Sequence, residues 1–376
     1  MAELLDMKAL VEPGRALTDE EIRRYSRHLL IPDINLVGQE RVVNSRVLCI
    51  GAGGLGSPTI MYLAAAGVGK IGIVDFDRVD VTNLQRQIIH TESDIGKNKA
   101  QSAKEKVQAL NSNIAVEIYE LKLNENNALE IFENYDLIID CTDNFATRYL
   151  VNDAAALLGK PYIWGSIYRF DGQASVFWSQ QGPCYRCLHP TPPPAGSVPS
   201  CAEGGVLGVL CGAIGSVQSN EAIKLITGVG TSLLGSLLIY DALETTYKKV
   251  EIKKSPSCPI CNGTQSSLLP SYEAFCGITN SITVAELNAR DNNYLLIDVR
   301  EPDEHAALSI PGALLIPKGR FEDGSAFAGL PKDREIILHC RSGVRSGQCL
   351  DLLRAAGFTN STHLQGGIIA WEESKR

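Results

Sequence analysis

Residues 46–77, RVLCIGAGGLGSPTIMYLAAAGVGKIGIVDFD, constrain the fold more than any other stretch. An apolar run ends in glycines, a helical pattern follows, and a second apolar run ends at Asp75. Strand, glycine turn, helix and strand in that order make a parallel β–α–β unit. Gly51-Ala52-Gly53-Gly54-Leu55-Gly56 carries the G-x-G-x-x-G spacing in the context that spacing requires. Its glycines let the backbone approach a phosphate, and the helix N-terminus offers amides and a positive dipole end. Asp75, closing the second strand, is placed for a ribose hydroxyl. Alone, this unit suits a dinucleotide as well as ATP.

Further strand-like runs are AVEIYEL, LIIDC, YIWGSIY and QASVFW, with helical patterns between several of them. The alternation predicts an α/β fold: a Rossmann-like domain with a mainly parallel sheet. Ahead of it, Thr18 to Leu30 reads as one charged amphipathic helix, with Thr18 as N-cap and Glu21 completing a capping box. SPSCPICNGTQSSLLPS, residues 255–271, is rich in Ser, Pro and Gly and reads as a linker. LLIDVR, ALLIP, EIILHC and STHLQGG beyond it predict a second, small α/β domain. The expected division is 1–262, a linker over 263–277, and 278–376.

A net charge of −8 argues against general nucleic-acid binding, which needs clustered Lys and Arg. The most apolar run, VLGVLCGAIGSV, is short, glycine-rich and followed by Gln218, so no membrane span is expected. The acidic start MAELLDMK has no apolar signal core, and a cytoplasmic location is expected.

The odd count of eleven cysteines argues against a full disulfide framework. Four of them form two C-x-x-C pairs, Cys184 with Cys187 and Cys258 with Cys261. Two such knuckles place four thiolates tetrahedrally around zinc. Their separation is far longer than in a zinc ribbon, so the site would tie distant segments together. Redox C-x-x-C motifs usually open a helix, whereas Pro183 and Pro259 suggest knuckle turns. Four sulfurs leave no open position, so the zinc would be structural.

The residues after the glycine turn bear on which nucleotide binds. DFDRVDVTNLQRQ sets Asp75, Asp77, Asn83, Arg86 and Gln87 just past the strand; GKNKA adds Lys97 and Lys99; DCTDN puts Asp143 at the end of a later strand. Hydride transfer wants an apolar nicotinamide pocket. This set supplies cations for a triphosphate (Arg86, Lys99) and a carboxylate for magnesium (Asp143), the parts of nucleotidyl transfer.

RYSRH, GAGGLG, DFDRVDVTNLQRQ, GKNKA, DCTDN and the paired C-x-x-C resemble the molybdopterin-synthase adenylyltransferases and their thiamine-pathway relatives, within the ubiquitin-activating superfamily. The resemblance spans roughly residues 18 to 262. It implies adenylation, with ATP and Mg, of the C-terminal glycine carboxylate of a ubiquitin-like sulfur carrier ending in Gly-Gly. By motif, Gly54, Asp75, Asn83, Arg86, Lys99 and Asp143 would bind ATP and magnesium. Arg27 of RYSRH would reach the phosphates of a partner subunit, implying a homodimer. Cys201, in VPSCAEGGV, matches a cysteine that in relatives attacks the activated carbonyl or resolves a sulfur adduct.

IDVREPDEH, IPGALLIP, HCRSGVRSG and LQGGIIAW resemble a rhodanese domain over about 278 to 376. Amides of the loop Arg341, Ser342, Gly343, Val344, Arg345 and Ser346 can form a nest around Cys340, backed by a helix N-terminus. Such a cradle suits a cysteine persulfide. A loop from Cys340 to Arg345 spans six residues, which in this family goes with sulfur; related phosphatases use one more. Arg341 and Arg345 suit steering of an anionic sulfur donor, thiosulfate or a cysteine desulfurase persulfide, and Arg345 suits a solvated helix position equally. Leu308-Ser309 stands where many relatives have Gly-His.

Together the halves imply an adenylyltransferase and sulfurtransferase. Two other classes stay open on sequence: an NAD-dependent oxidoreductase with a rhodanese appendage, and a non-catalytic carrier-binding scaffold.

Overall fold

The computed structural model describes residues 8–193, 205–276, 281–291 and 293–375. The chain forms two compact units, one running through Thr191 and taking in Gly205–Tyr272, the other containing Glu273–Arg376.

The first unit holds an eight-stranded sheet of β1 (Arg46–Ile50), β2 (Lys70–Val74), β3 (Ala115–Tyr119), β4 (Leu137–Asp140), β5 (Tyr162–Tyr168), β6 (Asp171–Phe177), β7 (Ser236–Asp241) and β8 (Thr246–Glu251). The strand order is β3-β2-β1-β4-β5-β6-β7-β8. Pairings from β3 across to β5 are parallel, and those from β5 to β8 are antiparallel. In β1, β2 and β4 nearly every residue is buried, as in parallel strands covered on both faces. Edge strand β8 is exposed throughout and carries Lys248 and Lys249, which discourage edge-to-edge pairing. Ile50 pairs with both Val74 and Asp140, so β1, β2 and β4 end at one edge of the sheet. Strand order reverses between β1 and β4, the switch point where open α/β sheets take ligands.

VLGVLCGAIGSV supplies the first half of a helix, Gly208–Thr227, and no helix among the described residues is long and apolar enough to cross a membrane. Gly215 serves packing: a Cβ there would fall 2.5 Å from Pro58 Cγ and 2.9 Å from the Leu55 carbonyl. The helix therefore lies close against the one that follows the glycine turn. The N-terminal helix is two helices, Asp19–Arg24 and Ser26–Leu29. Thr18 and Glu21 form the expected capping box. The break falls at Tyr25, whose buried hydroxyl accepts from Asn111 Nδ2 at 2.9 Å while its ring lies where a Cβ at Gly67 would be. Anchoring that ring fixes the local backbone and ends the first helix.

The second unit has a five-stranded, all-parallel sheet of β9 (Ser281–Ile282), β10 (Tyr294–Asp298), β11 (Leu314–Leu315), β12 (Glu335–His339) and β13 (Ser361–Leu364), in the order β11-β10-β12-β13-β9. One face packs Ile297, Leu338, Cys349 and Leu353; the other packs Leu296, Ile337, Leu364 and Trp371. Cys340 follows the central strand β12 directly.

Candidate active sites and metal centre

The glycine turn leaves β1 through Gly51 at φ +96°, the left-handed region, where a Cβ would meet the Cys141 carbonyl at 3.2 Å. A Cβ at Gly56 would collide with the Gly51 carbonyl at 2.1 Å. These two positions require glycine, because turn and helix start are packed backbone on backbone. Asp75 accepts from the Ala52 amide at 2.8 Å and the Asp77 amide at 2.9 Å. Burial pushes its carboxyl above the usual range, with the Lys99 ammonium opposing. Lys99 is itself buried and pairs with Asp77.

Asn83 Oδ1 accepts from the Asp80 amide at 3.1 Å and closes the short turn Val81–Asn83. Arg86 Nη1 donates to the Thr82 carbonyl at 3.3 Å, and its Cγ would lie 3.6 Å from a Cβ at Gly54. The arginine stem thus runs across the glycine turn. Asp143 is exposed in the loop after β4. Arg27 is exposed on the separate helix Ser26–Leu29. Cys201 lies outside the described residues.

Several residues that the motifs did not single out hold this edge. His90 is buried, with Nε2 2.9 Å from the Ala52 carbonyl and Nδ1 2.8 Å from Ser102 Oγ. A carbonyl only accepts, so Nε2 carries the proton and Nδ1 accepts from Ser102. Burial lowers the pKa of His90, which keeps it neutral. Asp140 is fully buried and accepts from both the amide and the hydroxyl of Thr142, shaping the loop to Asp143. Burial pushes its carboxyl up against the opposing Arg148 charge. Gln218 donates to the Asp140 carbonyl at 2.8 Å, joining the long helix to the end of β4. His90 and Gln218 lie outside any motif and carry no spacing signal, so their roles appear only in three dimensions.

The four paired cysteines meet. Cys184 Sγ is 3.9 Å from Cys187 Sγ and 3.5 Å from Cys258 Sγ, and Cys187 Sγ is 3.6 Å from Cys261 Sγ. All four sulfurs lie within 4.8 Å of one another. Tetrahedral zinc with bonds of about 2.3 Å needs sulfurs roughly 3.8 Å apart, so the cluster fits that ion. The Ser255 amide donates to Cys187 Sγ at 3.4 Å.

Beside it, Arg186 forms a buried fork on Asp153, Nε to Oδ1 at 2.8 Å and Nη2 to Oδ2 at 2.7 Å. Asp153 also accepts from Asn152, Gln265 and the Tyr272 hydroxyl. Residues 263–272, read as linker, are therefore held on the first unit by Gln265 and Tyr272.

In the second unit Cys340 is fully buried at the base of its loop. The Gly343 amide donates to its Sγ at 3.1 Å, and Gly343, at φ +101°, is the N-cap of the helix Val344–Ala355. The adjoining GG turn braces this loop: Ile368 N–H donates to the Cys340 carbonyl at 2.8 Å and Ile369 N–H to that of Arg341 at 3.2 Å. Arg341 is exposed, while Ser342 and Val344 are half-buried.

Arg345 is a fork on Glu304, at 2.6 and 2.7 Å, and this holds the Glu304 carboxyl below its ordinary range. The Arg345 charge is thus matched by Glu304 from the helix Pro302–Ala307. Arg300 forks onto buried Asp298 and also donates to the Leu308 carbonyl at 2.6 Å. The Leu308-Ser309 turn is thus held through its backbone.

The ThiF family profile matches residues 25–260. The chain belongs to the ThiF family. A rhodanese-like domain profile matches residues 281–374 of this ThiF-family chain. It is 55% identical to the probable adenylyltransferase/sulfurtransferase MoeZ of Mycobacterium tuberculosis, covering 96% of this chain and 95% of that protein. It is 52% identical to the sulfur carrier protein adenylyltransferase of Thermus thermophilus, over 69% of this chain and 98% of the relative. With the adenylyltransferase and sulfurtransferase MOCS3 of Xenopus laevis identity is 38%, over 95% of this chain and 88% of the relative. Among solved structures, E. coli MccB with ATP superposes with a TM-score of 0.58 at 24% identity, over 66% of this chain and 77% of that one, which shows the shared fold. This ThiF-family chain is an adenylyltransferase and sulfurtransferase. The oxidoreductase and scaffold readings give way to that finding.

Proposed function

We propose that the chain adenylates the C-terminal glycine carboxylate of a ubiquitin-like sulfur carrier and converts it to a thiocarboxylate. The observation that carries this reading is Cys340, held by the Gly343 amide at a helix N-terminus, on the same chain as the strand edge that carries Asp75 and the Lys99–Asp77 pair. The carriers of molybdopterin, thiamine, cysteine and tRNA thiolation share the Gly-Gly tail and are the substrate class.

A carboxylate is a poor electrophile. Its oxygen attacks the α-phosphorus of ATP, pyrophosphate leaves, and an acyl-adenylate forms. Arg86 and Lys99 bind the phosphates, Gly54 lets them approach the backbone, and Asp75 takes the ribose hydroxyls. Asn83 shapes the adjoining turn. Asp143 would hold Mg through a hard carboxylate oxygen, and the ion would supply charge neutralisation at the phosphates. Arg27 serves the phosphates of a second subunit in a homodimer.

Cys340 as thiolate takes a sulfane sulfur from thiosulfate or a desulfurase persulfide. The Cys340 terminal sulfur then attacks the acyl-adenylate carbonyl and AMP leaves. Cys201 attacks Cys340 Sγ in the resulting acyl disulfide, releasing the thiocarboxylate and leaving a Cys201–Cys340 disulfide for an external thiol to reduce. Cys184, Cys187, Cys258 and Cys261 hold a structural zinc. The setting is the cytoplasm.

The test is the intact mass of the carrier after incubation with ATP and thiosulfate. The oxygen-to-sulfur shift appears with the wild type and not with Cys340→Ala, which retains pyrophosphate exchange. A carrier thiolated at the wild-type rate by Cys340→Ala would overturn the reading.

A further inference from the structure

Behind the cysteine loop lies a polar line that sulfur transfer as described does not use. Ser346 is fully buried on the first turn of the helix Val344–Ala355. Its Oγ is 3.5 Å from Cys340 Sγ, 3.0 Å from the Gly343 carbonyl and 3.3 Å from His363 Nδ1. His363, on β13, is 6% exposed. Its ring rests against the glycine face of that helix, with Cε1 3.8 Å from where a Cβ at Gly343 would lie and 3.7 Å from one at Gly347.

One hydroxyl proton faces three candidate acceptors. The plain reading is a back-bond from Ser346 to the Gly343 carbonyl, common for helix serines. Two facts favour the sulfur. Burial, with Arg354 nearby, lowers His363 to about 4, so at neutral pH the ring is uncharged and carries one proton. If that proton is on Nδ1, the ring donates to Ser346 Oγ and does not compete for its hydrogen. A thiolate is also a stronger acceptor than a neutral carbonyl, because the bond is charge-assisted.

We propose that His363 Nδ1–H donates to Ser346 Oγ and the Ser346 hydroxyl donates to Cys340 Sγ, making both positioning residues that favour the thiolate over the thiol. The inference rests on Cys340 being the sulfur acceptor. The assisted step is loading: the Cys340 thiolate pair forms an S–S bond to the sulfane sulfur of thiosulfate, that sulfur's bond to the sulfonate breaks, and sulfite leaves with the pair. Charge balances without proton transfer, so the line acts by holding Sγ ionised beforehand.

Other charged and titratable groups lie on the elements packed around the loop. His339, Asp298 and Arg300 lie on the strand side, and Arg341 and the Arg345–Glu304 fork lie on the loop side. Cys349 lies on the helix, with the Lys318–Glu322 pair facing it.

The test uses the full chain without bound sulfur. The rate of iodoacetamide alkylation at Cys340 is followed by peptide mass from pH 6 to 10, beside kcat/KM for thiosulfate-dependent sulfur transfer. Ser346→Ala alkylates about tenfold more slowly at pH 7, the loss expected of one hydrogen bond to a charged group, and matches wild type near pH 10. A change in access alone would instead scale the rate at every pH. His363→Leu behaves in the same direction, and His363→Asn, whose amide N–H can stand near Nδ1, recovers most of the loss. Ser346→Thr keeps the hydroxyl and the rate at pH 7, which separates the bond from packing should another variant fold poorly. Transfer falls in parallel. Wild-type alkylation profiles in Ser346→Ala would overturn the line, whatever Cys340→Ala does. Sulfur transfer persisting in Cys340→Ala would instead overturn the function on which it rests.

Discussion

Lys99 Nζ lies 2.9 Å from Asp77 Oδ2, with the lysine side chain 8% exposed and the aspartate 52% exposed. The ammonium is held under the strand edge by a carboxylate that reaches solvent. It also opposes the burial that raises the carboxyl of Asp75. Lys99→Ala is expected to lower carrier-dependent pyrophosphate exchange about a hundredfold, the loss typical of one charge contact in a transition state. Arg86→Ala and Asp143→Ala are expected to do the same with folding retained. Removing the cation favours protonated Asp75, so the acid limb of the exchange profile moves to higher pH in Lys99→Ala. An unmoved limb would show that Asp75 does not feel Lys99.

Metal analysis of the purified chain is expected to give one zinc per chain. Cys258→Ser loses it, and because ligand geometry and folding are coupled, the unfolding midpoint falls while any residual folded protein keeps its exchange activity. A zinc-free chain of normal stability would reject the site.

Asp153 is the shared acceptor for Arg186, Asn152, Gln265 and Tyr272. Asp153→Ala strands a buried guanidinium, a loss of about 3–5 kcal/mol. Thermal unfolding should show a drop of several degrees in the first unit. Arg186→Met with Asp153→Leu should recover part of it, since removing both charges leaves neither unpaired.

His339 and His363 are each lowered by burial to about 4. An unfolded histidine ionises near 6.5, so between those values the unfolded chain binds more protons. Their contribution is fully present above about pH 6.5 and is lost as pH falls toward 4, by about 3 kcal/mol for each ring. Asp298 is held below its ordinary range despite its burial, chiefly by Arg300, and titrates below that window. Limited proteolysis in graded urea, with fragments assigned by mass, should show residues 281–375 becoming susceptible at lower urea at pH 5 than at pH 7. His339→Phe should roughly halve that dependence, leaving the His363 share. A urea midpoint independent of pH over this range would contradict it.

The β–α–β unit, both C-x-x-C knuckles, the cysteine loop and most strands were legible because each is written in neighbouring residues. Apolar runs, glycine at fixed offsets and short ligand spacings act over a few positions of chain. YIWGSIY, for instance, spans β5 in full. Less legible were the edge strand β8 and the two-residue β9, where an exposed or very short strand leaves no apolar run to read. The glycine-rich helix was hidden too, since its small residues answer to a neighbouring helix. Tertiary structure alone brought Cys184 within 3.5 Å of Cys258, 74 positions away. It matched Arg345 to Glu304, fixed the His90 tautomer through the Ala52 carbonyl, and aligned His363, Ser346 and Cys340. Each of these is a polar contact between distant segments, and its partner is chosen by which groups burial leaves within reach, a choice that local spacing does not encode.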